Sequence, residues 1–287
     1  METFELRYFL AVARHQNIHT ASRQIAISAA ALSKAVGRLE AELGVKLFSR
    51  LGRNISLTDQ GKVLQARAAE IIQLEQSTRL EIQGHGGRLN ISIAGPEIVL
   101  ASLGFEIVVG LRKKYPNSSF EFHSAQDEEA LAMVSQGSAH LALTTLKAPG
   151  NITAKTIRTC IFKTIVGRKH PLYGAARSGK SVPVDQLLLH PFVCPVSGIL
   201  GRIQNEQSAD GWREDLFPRR IEYVTSSLNL IESIVTAGLG VAYLPDYLVD
   251  KMDALPLIVS GCPYTCKQVI QLLAKKPETV SWMRSLF

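Results

Sequence analysis

One stretch near the N-terminus places small and basic side chains on a single helical face. Residues 28–43 carry apolar side chains at helical spacing, and the positions opposite that stripe are Ala29, Ala30, Ser33, Lys34, Gly37 and Arg38. Small side chains let a helix backbone enter the major groove of DNA, where alanine methyls contact thymine and Ser33 or Lys34 donates to phosphates and base edges. The pattern predicts a recognition helix for double-stranded DNA, on which Arg38 neutralises backbone charge.

Three short helices are expected to hold this face. The first begins at Thr3 as its N-cap, the second covers residues 20–25, and the third is capped by Ser28 and ends at Gly44, a residue suited to the left-handed position after a helix. The buried stripe of the third helix consists of Leu32, Val36, Leu39 and Leu43. Two helices joined by the tight turn at Ala26 and Ile27 predict a helix-turn-helix.

A β-hairpin is predicted over residues 45–57, with Gly52, Arg53 and Asn54 at its tip. Arg50 and Arg53 of this hairpin would reach flanking phosphates or the minor groove, whose potential favours arginine. The hairpin is therefore a candidate wing beside the recognition helix.

A long helix follows over residues 59–83. Its apolar positions have a coiled-coil-like spacing, interrupted by Glu75, and they are Leu64, Ala68, Ile71, Thr78 and Ile82. A solitary helix between two domains has little core of its own, so this stripe predicts self-association.

The glycine-rich residues 84–87 separate this helical part from alternating strands and helices. Residues 89–144 predict a βαβαβ unit with a parallel sheet. The rhythm repeats in a second set of strands and helices at 156–166, 183–188, 191–194, 199–207, 221–224, 228–237 and 241–244. Two such lobes predict a cleft between them, because ligands of these sheets bind at the carboxyl ends of the strands.

Charge and composition limit the class of protein. The net charge is +7, and the first 88 residues hold 12 Lys or Arg against 8 Asp or Glu, so the basic excess is concentrated at the N-terminus and weakly favours a polyanionic partner. The opening METFELRYFL lacks the pattern of an export signal, and the four cysteines suit reduced thiols. We therefore expect a cytoplasmic location.

Residues 1 to about 66 resemble the LysR-type transcriptional regulators. The matching positions in this part are Leu6, Phe9, Ala13, Thr20, Ala21, Ser22, Ile27, Ser28, Leu32, Ser33, Leu39, Glu40, Leu43, Gly44, Leu47, Phe48, Arg50, Leu57, Thr58 and Gly61. The likeness continues through Gly87-Arg88-Leu89 and Tyr115-Pro116 to the run from Thr236 to Pro245, and so covers nearly the whole chain. The chain departs from the family at Ala29, where glutamine is common, and at His140, where aspartate is usual.

The resemblance implies an α+β multidomain protein with a winged helix-turn-helix at 1–58, a linker and dimerisation helix at 59–87, and an effector domain at 88–287. That domain would have two Rossmann-like lobes, similar to periplasmic binding proteins, with lobe I at about 88–160 and 268–287 and lobe II at about 161–267. The implied partners are promoter DNA, a homodimer or homotetramer, and RNA polymerase. The predicted DNA-binding residues are Thr20, Ser22, Ser28, Ala29, Ala30, Ser33, Lys34, Arg38, Arg50 and Arg53.

The family's effector cleft can be carried onto this sequence residue by residue. It predicts contacts from Gly95, Pro96, Glu97, Ser124, Thr144, Thr145, Pro195, Val196, Ser197, Gly198, Thr225, Ser226 and Ser227. Hydroxyls at helix N-termini favour an anion, whereas Glu97 would repel one and Val196 favours an apolar ligand surface. The hydroxyls could equally be plain helix caps. The effector stays unidentified, and no cofactor or metal is expected.

Three alternative functions compete with this interpretation of the sequence. Cys194, together with Cys262 and Cys266, could make the sensor a thiol, but no basic cluster activates Cys194. An enzyme is disfavoured because nucleophile elbow, phosphate loop and dinucleotide fingerprint are all missing. A solute-binding protein would need an export signal and would have no use for a basic helical head.

Overall fold

The structure is a computed structural model that describes residues 1–51, 54–83, 88–196, 198, 208–249 and 252–287. Its N-terminal head consists of three helices and a hairpin, which are α1 (Thr3–His15), α2 (Ile18–Gln24), α3 (Ala29–Leu43), β1 (Phe48–Leu51) and β2 (Asn54–Leu57). The two strands pair antiparallel, with Phe48 opposite Leu57. This is the winged helix-turn-helix that the sequence predicted.

Local capping sets the helix ends in the head. The N-cap of α1 is Glu2 rather than the predicted Thr3, because Glu2 and Glu5 form a reciprocal capping box. Asn17 accepts a hydrogen bond from the Thr20 amide, so α2 begins two residues earlier than predicted. Ser28 caps α3 by accepting from the Ala31 amide, and Gly44 ends it with φ of 68°.

A long helix, α4 (Asp59–Gln83), leaves the head with the bounds that the sequence predicted. The predicted apolar stripe is split between two faces. Leu64 and Ala68 pack into the head core with Leu6 and Phe9 of α1, whereas Ile71 and Ile82 are exposed. The sequence could not separate the faces, because α1 lies far away along the chain.

A seven-stranded sheet dominates the rest of the chain. Its strands are β3 (Asn90–Gly95), β4 (Ser119–Ser124), β5 (Leu141–Thr144), β6 (Thr153–Gly167), β10 (Ala242–Pro245), β11 (Ala254–Pro256) and β13 (Lys267–Ala274). The main order is β10-β6-β13-β5-β3-β4, and β11 adds to β6. Strands β3, β4 and β5 are mutually parallel, as the βαβαβ pattern predicted. We call the part around β3, β4 and β5 lobe I.

The second half of β6 begins lobe II. There β6 pairs with β10 from Phe162 onward, and β8 (Pro191–Pro195) pairs parallel with β9 (Arg220–Thr225). A bridge between Phe192 and Val241 joins β8 to the chain entering β10. A short parallel pair, β7 (Val182–Pro183) with β12 (Val259–Ser260), completes the strands in the described ranges.

Helices cover both lobes. Lobe I carries α5 (Glu97–Val99), a π-helical segment (Leu100–Gly104), α6 (Phe105–Lys114) and α7 (Asp127–Gln136). The remaining helices are α8 (Tyr173–Ser178), α9 (Val184–Leu187), α10 (Leu228–Thr236), α11 (Asp246–Val249), a 3-10 turn (Pro277–Thr279) and α12 (Ser281–Arg284). The sequence did not predict α8 or the π segment, and the helix predicted at 199–207 lies outside the described residues.

The linker helix α4 also docks on lobe I. Ala69 lies against Gly137 at the end of α7, so closely that a side chain at Gly137 would meet it at 2.2 Å. Ser77 Oγ accepts a hydrogen bond from the Ser281 amide at 2.9 Å. Glu70 pairs with Lys275 Nζ at 2.9 Å. None of the described helices is long and apolar enough to cross a membrane.

Candidate DNA interface and effector cleft

The outer face of α3 is open to solvent. Ala30, Ser33 and Lys34 are exposed and Ala29 is half-buried, while Leu32 and Leu39 are fully buried in the head core. No described residue forms an ion pair with Lys34. The amphipathic pattern thus leaves one exposed, uncompensated cation on a face of small side chains, which suits a DNA groove.

Arg38 is less free than the sequence suggested. Its Nη2 lies 3.1 Å from Glu5 Oε1, and its guanidinium stands 5.9 Å from the centre of the Phe4 ring. Glu5 is buried and Arg38 is more than half exposed. The Arg38 charge is therefore shared with the buried Glu5 of α1 and is not wholly available to a phosphate.

The structure gives two more of the predicted DNA-binding residues, Ser22 and Ser28, a role within the head. Ser22 is buried, and its hydroxyl donates to the His19 carbonyl at 2.9 Å, so Ser22 is removed from the predicted DNA face. Thr20 is exposed at the start of α2, and the Ser28 hydroxyl is occupied as the α3 cap. Of these three residues, Thr20 therefore has the exposed hydroxyl that no described hydrogen bond uses.

The wing is tied to the end of α3 by one carboxylate. Glu40 Oε1 accepts from the backbone amide of Leu47 at 2.9 Å, and Glu40 Oε2 accepts from Lys46 Nζ at 2.6 Å. Burial alone would raise the pKa of Glu40, but these hydrogen bonds hold it below its usual range. The backbone of Arg50 lies on β1. The side chain of Arg50 and the whole of Arg53 lie outside the described residues.

A cavity of about 340 Å³ opens between the two lobes. Seven predicted effector residues line it: Pro96, Glu97, Ser124, Pro195, Gly198, Thr225 and Ser226. The sequence missed six further lining residues, which are Ile98, Ala125, Gln126, Glu129, Leu228 and Ile231. Ala125 and Gln126 follow β4 directly, and the other four lie in the first turns of α5, α7 and α10, so the segments that lead from strands into helices were the signal that could have found them.

Five other predicted effector residues in the described part of the chain do not line the cavity. Thr144 is fully buried, and its hydroxyl accepts from the Leu146 amide at 3.1 Å. The Thr145 hydroxyl donates to Asp127 Oδ2 at 2.5 Å, and any side chain at Gly95 would collide with the Leu143 carbonyl. These three positions serve packing within lobe I.

On the lobe II side, Val196 and Ser227 stand beside the cleft without lining it. Val196 is exposed, and its amide donates to the Thr225 carbonyl at 3.1 Å. Ser227 is the N-cap residue of α10, and its amide donates to Thr225 Oγ1 at 3.0 Å. Ser197 lies outside the described residues. Thr225 therefore both orders the entry to α10 and faces the cavity.

The described surroundings of the cysteine thiols do not support a reactive site. Cys194 is buried behind the cleft, 3.8 Å from Asp210 Oδ2, and burial together with that carboxylate raises its pKa to about 12. None of the four cysteines forms a disulfide, and Cys262 is half-buried. Burial also raises the pKa of Cys266. A thiolate would be needed for a redox sensor, so the structure gives this alternative no support.

A winged helix-turn-helix joined by a long helix to a two-lobed domain with an interlobe cavity defines a class of protein, the ligand-responsive DNA-binding regulator. The chain belongs to the LysR family of bacterial regulators. Residues 4–62 match the model described as the bacterial regulatory helix-turn-helix protein of the lysR family, and residues 83–272 match the LysR substrate binding domain.

Several relatives cover most of the chain. It is 26% identical over 301 residues to YybE of Bacillus subtilis, an HTH-type transcriptional regulator, covering 100% of this chain and 94% of YybE. It is 29% identical to BudR of Raoultella terrigena, covering 85% of this chain and 84% of BudR. These relatives are named as transcriptional regulators, and the chain is a regulator rather than an enzyme.

Solved structures share the whole fold. The full-length regulator LysG of Corynebacterium glutamicum, solved with bound effector Arg, has a TM-score of 0.63 at 18% identity and covers 99% of this chain and 96% of LysG. Full-length CbnR complexed with its target DNA has a TM-score of 0.56 at 19% identity and covers 99% of this chain and 98% of CbnR.

Proposed function

We propose that this regulator binds a partly palindromic promoter sequence and that a small molecule entering the interlobe cleft changes that binding. The cavity between Glu97, Ser124 and Thr225 carries this proposal, because it lies between two lobes whose relative position a ligand would fix. The exposed α3 face supplies the DNA contacts. Contact with RNA polymerase at the promoter completes the proposed role.

Selection from a random duplex library with the purified chain supplies the DNA needed for the test. A thermal-shift screen then identifies compounds, since one present at 100 times its Kd stabilises the fold by about 2.7 kcal/mol. A compound that shifts the protein should also change its affinity for the selected duplex. The cleft-filling variant Ser226→Trp should keep DNA binding and lose that response; a retained response would place the effector elsewhere.

We further propose that the chain dimerises through the outward row of α4. This row consists of Ile71, Leu74, Thr78 and Ile82, and Leu74 and Ile82 are 55% and 79% exposed. An exposed apolar row at helical spacing is stabilised by a second helix. Two copies would also present two heads to the two halves of a palindrome.

Sedimentation of the full chain tests this interface. Leu74→Glu should shift the protein towards monomer, because a charge would be buried in an apolar contact. Leu189→Glu is the matched control, since Leu189 is also highly exposed but lies far from α4 in lobe II. Equal effects of the two substitutions would argue against the α4 interface.

A further inference from the structure

The two walls of the cleft differ in charge. Lobe I contributes Glu97 from the first turn of α5 and Glu129 from the first turn of α7, and both side chains are exposed. Lobe II contributes Thr225 and Ser226, which are polar and uncharged. None of the described lining residues is Lys, Arg or His. The described cleft therefore has two negative charges, both on one wall.

Neither cleft carboxylate has a partner among the described residues. By contrast, Glu121 on the same lobe pairs with Arg14, and Glu75 on α4 pairs with both Arg7 and Arg79. These two carboxylates are compensated by neighbouring cations. Glu97 and Glu129 face a cavity instead, and two like charges facing one cavity favour a cation between them.

Helix stabilisation accounts for only part of this arrangement. A carboxylate in the first turn of a helix complements the helix dipole, which is a sufficient reason for Glu97 at the start of α5. The first turn of α7, however, already contains Asp127 and Glu128. A third carboxylate adds little there, and the position of Glu129 on the cavity side needs another explanation.

The opposite wall suits the other end of a ligand. The first turn of α10 has no acidic residue, and the Ser227 side chain makes no capping hydrogen bond. Backbone amides at such a helix start, with the hydroxyls of Thr225 and Ser226, donate to an acceptor group. Between the walls, Ile98 and Ile231 supply apolar surface for a short hydrocarbon.

Residues 83–272, which include both walls of the cleft, match the LysR substrate binding domain, so a ligand site in this domain is expected independently of the charge of the cleft. We propose that the cleft takes a small amine or guanidine whose protonated nitrogen lies between Glu97 and Glu129 and whose polar end meets the start of α10. This proposal rests on the proposed function and specifies its ligand class. A cavity of about 340 Å³ suits a compact molecule of this kind.

The test uses the full chain and two matched sets of probes. One set contains protonated amines and guanidines, including agmatine and benzamidine, and the other contains carboxylates of equal size, including glutarate and benzoate. Binding is measured by thermal shift and calorimetry. We expect binders from the cationic set, with affinities that fall as salt increases.

Substitutions that neutralise the two cleft carboxylates test whether these side chains bind the cationic group of the ligand. Glu97→Gln and Glu129→Gln should each weaken a cationic binder about tenfold or more, because a hydrogen bond to a charged group is lost, and both should keep normal DNA affinity. Glu106→Gln is the matched control, since Glu106 is exposed on α6 and does not line the cavity.

Each other outcome overturns the proposal in a distinguishable way. Carboxylate binders that Ser226→Trp blocks would overturn the ligand class while leaving the proposed effector role intact. Cationic binders unaffected by Glu97→Gln and Glu129→Gln would place the charge recognition elsewhere. If neither set contains a binder, the proposed ligand class is wrong, and the proposed control of this regulator by an effector loses the support that the ligand class would give it.

Discussion

Arg14, at the end of α1, donates a hydrogen bond from Nη2 to Glu121 Oε1 on β4 at 2.8 Å. The same guanidinium lies within 3.2 Å of both ring nitrogens of His123. Strand β4 continues directly to Ser124, which lines the cleft. The pair therefore connects the DNA-binding head to the strand that carries one wall of the effector site.

Reversing the charges of Arg14 and Glu121 should reveal how much this pair contributes to the stability of the protein. Arg14→Glu and Glu121→Arg should each destabilise the full chain, and the double variant should recover part of the loss. Because both side chains are partly exposed, the coupling expected from a double-mutant cycle is roughly 0.2–1 kcal/mol. Denaturant titration measures it, and an equivalent cycle at Arg7 and Glu75, which joins α1 to α4, serves as the reference. Zero coupling between residues 14 and 121 would contradict the contact.

Lys34 and Arg38 should behave differently although both are basic residues on α3. Lys34→Ala should weaken binding to every duplex and reduce the salt slope by about one unit without lowering the melting temperature. Arg38→Ala should also lower the melting temperature, because it leaves the buried Glu5 carboxylate unpaired. Salt-dependent anisotropy and thermal melts separate the two. Unchanged DNA affinity in both variants would refute the assigned face. From the sequence alone, Arg53→Ala should also weaken binding to every duplex and reduce the salt slope by about one unit.

Gly137→Ala tests the docking of α4 on lobe I. Gly137 has φ of 75°, and an added methyl group would meet Ala69 Cβ at 2.2 Å. Gly179→Ala is the matched control, because Gly179 has φ of 66° but open space around it. Backbone strain alone should cost about 1 kcal/mol at either site, and the collision should add about 1–3 kcal/mol at Gly137. Equal losses in urea denaturation would show that α4 is not held there.

Stability should fall on mild acidification because of His140. Its burial lowers its pKa from the usual 6.5 to about 4, so the folded protein keeps it neutral. As pH falls below about 6.5, the unfolded chain gains a proton that the folded chain does not, which costs up to about 1.4 kcal/mol per pH unit. His170, also with a pKa of about 4, adds to the effect.

His140→Asn removes one of these titrations while keeping an acceptor for the Ser92 amide, which His140 Nδ1 binds at 3.0 Å. Urea denaturation between about pH 7 and about pH 5 should show a shallower pH dependence in this variant. Glu70, whose pKa is about 2, changes stability only below its usual 4.5, outside that interval. An unchanged slope would contradict the role of His140.

Features set by neighbouring residues could be predicted from the sequence. Ser28 and Gly44 are the cap and stop of α3, and the bounds of α4 follow from its composition and flanking turns. Pairs such as Arg38 with Glu5 could not be predicted, because contact between distant positions depends on how the helices cross. For the same reason the sequence placed Ala68, which packs into the head core, in one stripe with the exposed Ile71 and Ile82.

The cleft was predictable only in part. Thr144 ends a strand, as effector-contacting residues commonly do, yet β13 from the far end of the chain pairs beside it and places Gln271 opposite Thr144. That insertion buries Thr144 inside the sheet. Glu129, in contrast, follows no strand directly, and its place in the first turn of α7 brings it to the cavity.

The linker helix α4 has three different faces: one packs on the head, one packs on lobe I, and the outward row is exposed. An α-helix turns by about 100° per residue, so one residue inserted near the middle of α4 would rotate every later contact away from its partner. Inserting seven residues would nearly restore the angle and lengthen the helix by about 10 Å. The spacing between the DNA-binding and effector parts of this protein is therefore fixed by rotational phase as well as by length.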